Sequence, residues 1–178
     1  MLTLRPATPA DVPAILDLIA QLAAYERLAH EAVGSEALLH AHLFGERPAA
    51  EVLLGEVDGQ LAGFALYFTT FSTFLTRPGI WLEDLFVLPA FRGAGLGKAL
   101  LVRLAALCAE RGYGRLEWNV LDWNALAIAF YQAQGAAPLD GWTRYRVTGE
   151  ALTALAQAAD APTAAAAPAS AEPVQQHR

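Results

Sequence analysis

The segment Arg92-Gly93-Ala94-Gly95-Leu96-Gly97 places three glycines at alternate positions, between an apolar strand-like run and an amphipathic helix-like run. Glycines there let backbone N–H groups turn into a concavity, and a helix start adds partial positive charge, so the segment is an anion site by geometry. Its spacing excludes two common phosphate loops. A Walker A loop has glycine five places before its Gly-Lys pair and Ser or Thr after it; here Arg92 holds the first place and Ala99 the last. A dinucleotide fingerprint reads G-x-G-x-x-G and sits at a first βα unit; here the third glycine comes one residue early and the segment lies mid-chain. Taken alone, the loop is also compatible with a glycine-rich turn that binds nothing.

A second pair of residues stands out upstream. Glu83 and Asp84 are adjacent carboxylates inside the apolar run Ile80–Val87. Successive strand side chains point to opposite faces, so a regular strand would bury one of them, and an unpaired buried carboxylate is costly. A local bulge or a functional cleft resolves this. The alternative is a structural pair satisfied by backbone or arginine. The histidines His30, His40, His42 and His177 lack metal-ligand company, and no metal is implied. The lone cysteine, Cys108, lies in a Leu/Ala run and reads as a buried structural thiol.

The elements that must position these residues follow from periodicity and punctuation. Leu2–Arg5 reads as a strand. Thr8, Pro9 and Asp11 form a helix start, and apolar residues at helical spacing carry that helix to about Tyr25. Ser35–Leu43 is a shorter helix. Glu51–Val57 and Leu61–Thr69 are strands around the turn pair Asp58-Gly59. Ile80–Val87 is a strand, Gly95–Arg111 a helix, Arg115–Leu121 a strand, and Asn124–Gln134 a helix capped by Asn124 and ended by Gly135. Trp142–Val147 is expected as a last strand and Glu150–Ala158 as a last helix. This order describes one α+β domain with a mixed sheet over residues 1–158. The Ala/Pro/Ser/Gln tail from 159 to 178 has almost nothing apolar and large to bury, so disorder is expected there.

Bulk properties set limits on function. The chain has 178 residues, a size suited to one domain with a sizeable core. Its net charge of −6 argues against phosphate-backbone binding, so no nucleic-acid partner is expected. Mean hydropathy is +0.31, yet no apolar run reaches the roughly 18 residues of a membrane span. The N-terminal apolar stretch is broken by Asp17 and Gln21, unlike a signal peptide. With a single cysteine no intramolecular disulfide forms, and a cytoplasmic location is the expectation.

Arg92-x-x-Gly95-x-Gly97 is similar to the R/Q-x-x-G-x-G/A loop of the GCN5-related N-acetyltransferases (GNAT). The lead-in strand Leu82–Val87 is similar to the context of that loop, and the later Asn124 with Phe130-Tyr131 and Gly135 resembles that family's second signature. Further likeness points to its diamine (spermidine/spermine) branch: Leu4-Arg5-Pro6-Ala7-Thr8, Leu22–Glu26, Trp123-Asn124 and Gly141-Trp142. The likeness covers residues 2–157 and leaves the tail without a counterpart.

The resemblance implies a mostly antiparallel central sheet with helices on both faces. It implies acetyl-CoA as co-substrate, a small cationic amine as acceptor, and a homodimer. It places the cofactor on the backbones of Leu85, Phe86 and Val87, on the loop from Arg92 through Gly93, Ala94, Gly95, Leu96 and Gly97 to Lys98, and at Asn124. It makes Tyr131 the general acid for the departing thiolate; core packing of a helix aromatic is the alternative for that residue. It makes Glu83 the general base, through water, and assigns Tyr25, Glu26, Asp84 and Trp142 to the amine. A peptide or protein amine as acceptor, and a CoA-binding module without catalysis, are the competing functional readings.

Overall fold

In a computed structural model of the chain, residues 1–159 are described; the tail expected to be disordered falls, from residue 160 on, outside them. The described chain falls into two compact units, residues 1–128 and the residues from 129 onward.

The first unit is built on a five-stranded sheet in the order β1 (Leu2–Pro6), β2 (Glu51–Val57), β3 (Gln60–Ser72), β4 (Arg77–Val87) and β5 (Leu116–Trp118). The first four strands are antiparallel neighbours, and β5 joins β4 in parallel. The sheet is therefore mixed and mostly antiparallel, as expected. Asp58 and Gly59, both at positive φ (51° and 78°), make the tight turn between β2 and β3.

Helix α1 (Val12–Tyr25) starts where Thr8 and Asp11 form a capping box, with Pro9 opening a short 3-10 turn ahead of it. Asp11 also receives two hydrogen bonds of 2.8 Å from the Arg5 guanidinium, whose Nε donates to Glu56. Arg5 holds the Asp11 carboxyl far below its ordinary range. One arginine thus ties β1, β2 and the entry to α1 together.

Val12, Ile15, Leu18 and Leu22 recur on the buried stripe of α1. Ile15, Leu18 and Leu22, with Leu43 of α2 (Glu36–Phe44), cover one sheet face, meeting Val52, Leu54, Phe64 and Phe86. Helix α3 (Leu96–Glu110) covers the other face with Leu96, Leu100, Leu101, Leu104 and Leu107, and Cys108 lies buried beside them. Arg111, just past α3, grips Glu51 of β2 through two bonds of 2.6 and 2.7 Å.

Close approach of α3 to the sheet requires glycine at position 55. A Cβ there would lie 2.4 Å from Cδ1 of Leu96, itself fully buried. Gly55→Ala is expected to cost about 1–3 kcal/mol by overpacking, read as a lower urea midpoint at unchanged slope.

Helix α4 (Ala125–Gln132) crosses the boundary between the units, and α5 (Gly149–Gln157) lies in the second. The expected strand Trp142–Val147 is not formed. A strand exists only where a ladder partner does, and the rest of the second unit, among the described residues, is helix, turn and irregular chain. Likewise β5 is three residues long rather than the seven expected from Arg115–Leu121, because its pairing with β4 ends at Trp118.

Candidate active site

The short β5 has a structural consequence. It pairs only with Ile80, Trp81 and Leu82, whereas β4 continues to Val87. Beyond Leu82 the two strands part. On its other edge β4 stays paired with β3, as Asp84↔Leu66, Leu85↔Ala65, Phe86↔Phe64 and Val87↔Gly63. Residues Leu85, Phe86 and Val87 therefore have no β5 neighbour on one side. Their backbone groups there suit an extended, amide-bearing ligand that completes the ladder.

The carboxylate pair sits where the strands begin to part. Leu82 pairs with Tyr67 and Asp84 with Leu66, so Glu83 is an extra residue without a partner, a β-bulge. The bulge resets the alternation. Leu66 and Phe86 pack on the α1 face, and Asp84, two residues before Phe86, shares that face. Glu83 accepts a 2.7 Å hydrogen bond from the indole Nε1 of Trp81, two residues back. Adjacent carboxylates thus reach the same side of the sheet, which a regular strand forbids. The anomaly noted in the sequence is this bulge.

Glu26, at the C-terminal end of α1, belongs to the same acidic group, its charge acting on Asp84. Burial, then the charges of Glu83 and Glu26, push the Asp84 carboxyl up to about 7. Burial raises Glu26 as well. Among the described residues, none donates a hydrogen bond to Asp84. A carboxylate so placed, its charge uncompensated, is matched to an ammonium ion.

From Val87 the chain passes through a short 3-10 turn, Pro89–Phe91, into the glycine loop. Gly93 and Gly95 have φ of 84° and 85°, and Gly95 caps α3. A Cβ at either would meet nothing within 4 Å, so backbone conformation, not crowding, calls for glycine. The first N–H groups of α3, from Leu96, Gly97 and Lys98, have no carbonyl within the helix to bond. The side chain of Leu96 belongs to the core and that of Lys98 to the surface, so Leu96 offers a ligand its backbone only. Strand edge and loop are continuous, which fits a pantetheine-like arm ending in a phosphate.

Arg92, an exposed residue, also contacts the strand and α1. Its Nε donates to the carbonyl of Val87 at 3.1 Å, and its guanidinium lies 4.7 Å from the centre of the Tyr25 ring and 5.8 Å from that of Phe86. Tyr25 in turn has its ring centre 6.4 Å from Phe86 and 6.1 Å from Trp123. Arg92, Tyr25, Glu26, Glu83, Asp84, Phe86 and Val87 are thus brought to one region. Sequence reasoning gave no role to Trp81, Trp123 or Arg27. Trp123 appeared only inside the Trp123-Asn124 likeness, and no local pattern relates Trp81 to Glu83 until the bulge is seen.

Asn124 caps α4: its Oδ1 accepts from the Ala127 N–H at 3.2 Å. Tyr131 lies on α4, half-buried, with its ring 5.2 Å from that of Phe130. Trp142 lies in the second unit on an irregular, exposed segment instead of the expected strand. Among the described residues no group of His, Cys, Asp and Glu could hold a metal, and no helix is long and apolar enough to cross a membrane.

Comparison with known proteins agrees with this geometry. The model of the Acetyltransferase (GNAT) family matches residues 19–136. The thialysine N-epsilon-acetyltransferase of Bos taurus is 39% identical over 86% of this chain and 96% of its own. The L-ornithine N5-acetyltransferase NATA1 of Arabidopsis thaliana is 34% identical over 85% of this chain and 86% of its own. Among solved structures, an integron cassette protein from V. cholerae superposes with a TM-score of 0.74 at 26% identity, covering 88% of this chain and 98% of that one. The chain belongs to the acetyltransferase (GNAT) family and is an N-acetyltransferase by kinship.

Proposed function

We propose that this protein transfers an acetyl group from acetyl-CoA to the primary amine of a small cationic acceptor, a diamine, polyamine or thialysine-like molecule, by direct attack in a ternary complex. The observation that carries this reading is the bulge in β4. It sets Glu83 and Asp84 immediately before the unpaired edge Leu85–Val87, so acceptor and thioester would meet at one point. The relatives named above are, by name, an L-ornithine N5-acetyltransferase and a thialysine N-epsilon-acetyltransferase, which agrees with an acidic acceptor site.

In this scheme the edge of β4 and the loop from Arg92 to Lys98 hold the pantetheine and pyrophosphate of acetyl-CoA. Asp84 receives the ammonium. Glu83, held by Trp81, orders the water that removes the amine proton. The amine nitrogen then attacks the thioester carbon, the C–N bond forms, the C–S bond breaks, and Tyr131 gives its proton to the leaving thiolate. Tyr25, Glu26 and Trp142 are assigned to acceptor binding, and Asn124 to the pantetheine arm. Residues 1–158 form the catalytic portion, which is proposed to act as a homodimer.

The test is CoA release from acetyl-CoA with a panel of diamines, polyamines, thialysine, ornithine and lysine-containing peptides. Release is expected with the small amines and at least tenfold less with peptides. Release with peptides alone would transfer the reading to protein acetylation, and cofactor binding with no release for any amine would leave a non-catalytic module.

A further inference from the structure

Arg27 follows the last turn of α1 in an unusual conformation. Its φ is 64°, in the left-handed region, and the N–H groups of Arg27 and Leu28 bond back to Ala24 and Ala23 as in a helix C-cap. Glycine is the usual residue at such a position, because a side chain there costs about 1 kcal/mol. The chain instead carries a long cation. Its guanidinium lies 5.7 Å from the centre of the Trp123 ring. Among the described residues it has no carboxylate partner, although Glu26 adjoins it and Glu31 is four residues on. Trp123 is 51% exposed, so this pairing faces open space.

The surroundings relate this free cation to the acceptor. Trp123 packs on Tyr25, Tyr25 on Phe86, and Phe86 is two residues from Asp84. Glu26, one residue before Arg27, is electrostatically coupled to Asp84. An acceptor whose reacting amine sits at Asp84 and whose chain runs along the aromatic wall would present its far end to Arg27. A second ammonium there meets a like charge. A carboxylate there finds an unpaired guanidinium, the group best shaped to bind it.

We infer that Arg27, seated on Trp123, is a specificity-determining residue that selects acceptors with a carboxylate at the end remote from the reacting amine, that is, diamino monocarboxylic acids over carboxylate-free diamines. This deepens the proposed acetyl transfer and rests on it. The guanidinium takes no part in the transfer step, so the selection appears in KM more than in kcat.

Ornithine and 1,4-diaminobutane are the diagnostic pair, since they differ only by the carboxylate. The wild-type protein is expected to favour ornithine in kcat/KM by about tenfold or more, one charge-assisted pair's worth of discrimination. Arg27→Gln is expected to bring the ratio near unity from both ends, raising KM for ornithine and lowering it for the diamine. Arg27→Gly is expected to do the same without loss of Tm, because glycine suits the positive φ. Arg27→Lys, which keeps charge but not the bidentate fork, is expected to retain part of the preference. Equal use of the two acceptors by the wild type, or a ratio unmoved in Arg27→Gln and Arg27→Gly, overturns the inference while acetyl transfer stands. Absence of CoA release with every amine instead refutes the acetyl-transfer reading and this inference with it.

Discussion

Tyr131→Phe is expected to lower kcat by about a hundredfold, the usual contribution of a positioned general acid, while the dissociation constant for acetyl-CoA stays within a factor of two or so. The leaving group sets this expectation. Expulsion of an alkyl thiolate places a full charge on sulfur, and a phenol at hydrogen-bond range removes it as the C–S bond breaks. The substitution deletes one oxygen and keeps the ring that lies against Phe130. The defect should therefore be specific to the transition state. It should also depend on the donor. With an aryl thioester, whose thiolate leaves unaided, the ratio of wild-type to variant kcat/KM should shrink severalfold. A variant with unchanged steady-state rates for acetyl-CoA would remove Tyr131 from the mechanism and leave it a packing residue.

Most of this architecture was legible in the sequence, for reasons that are local. The turn at Asp58-Gly59, the capping box of Thr8 and Asp11, the stripe on α1 and the glycine loop each depend on residues close together in the chain. Glu83 and Asp84 were legible as a contradiction, two charges where alternation allows one. Their common face was not, because it depends on pairing with Leu66 and Tyr67, some sixteen residues away, across a bulge. The same applies to Trp123 and Arg27, which meet only in the folded chain. Trp142–Val147 illustrates the opposite error. Its alternating pattern has strand propensity, but propensity does not supply a ladder partner.

Asp84→Asn is expected to make the protein more stable and nearly inactive. The sign follows from linkage. Burial and the neighbouring charges of Glu83 and Glu26 raise the folded-state pKa of Asp84 from its ordinary 3.8 to about 7. Ionisation is thus harder in the folded protein than in the unfolded chain, and the penalty is absent below pH 3.8, grows up to about 7 and is constant above it. Asparagine carries no such penalty. The difference in stability between variant and wild type should be near zero around pH 4 and rise to roughly 1–4 kcal/mol above pH 7; a Tm gap that is flat with pH would show that Asp84 is not strained by its surroundings. Activity should move the other way. In the proposed scheme the ionised Asp84 receives the ammonium, so wild-type kcat/KM for the amine should rise through about pH 7, and Asp84→Asn should lose that rise along with about a hundredfold in rate. Glu83→Gln discriminates between the two carboxylates. It removes a charge that raises Asp84, so the midpoint of the rise should shift to lower pH while the rate falls for want of the base. An unshifted midpoint would assign the titration to another group. Stability gained on removing a group and activity lost with it indicate that the fold tolerates a strained carboxylate at this bulge for the sake of the acceptor.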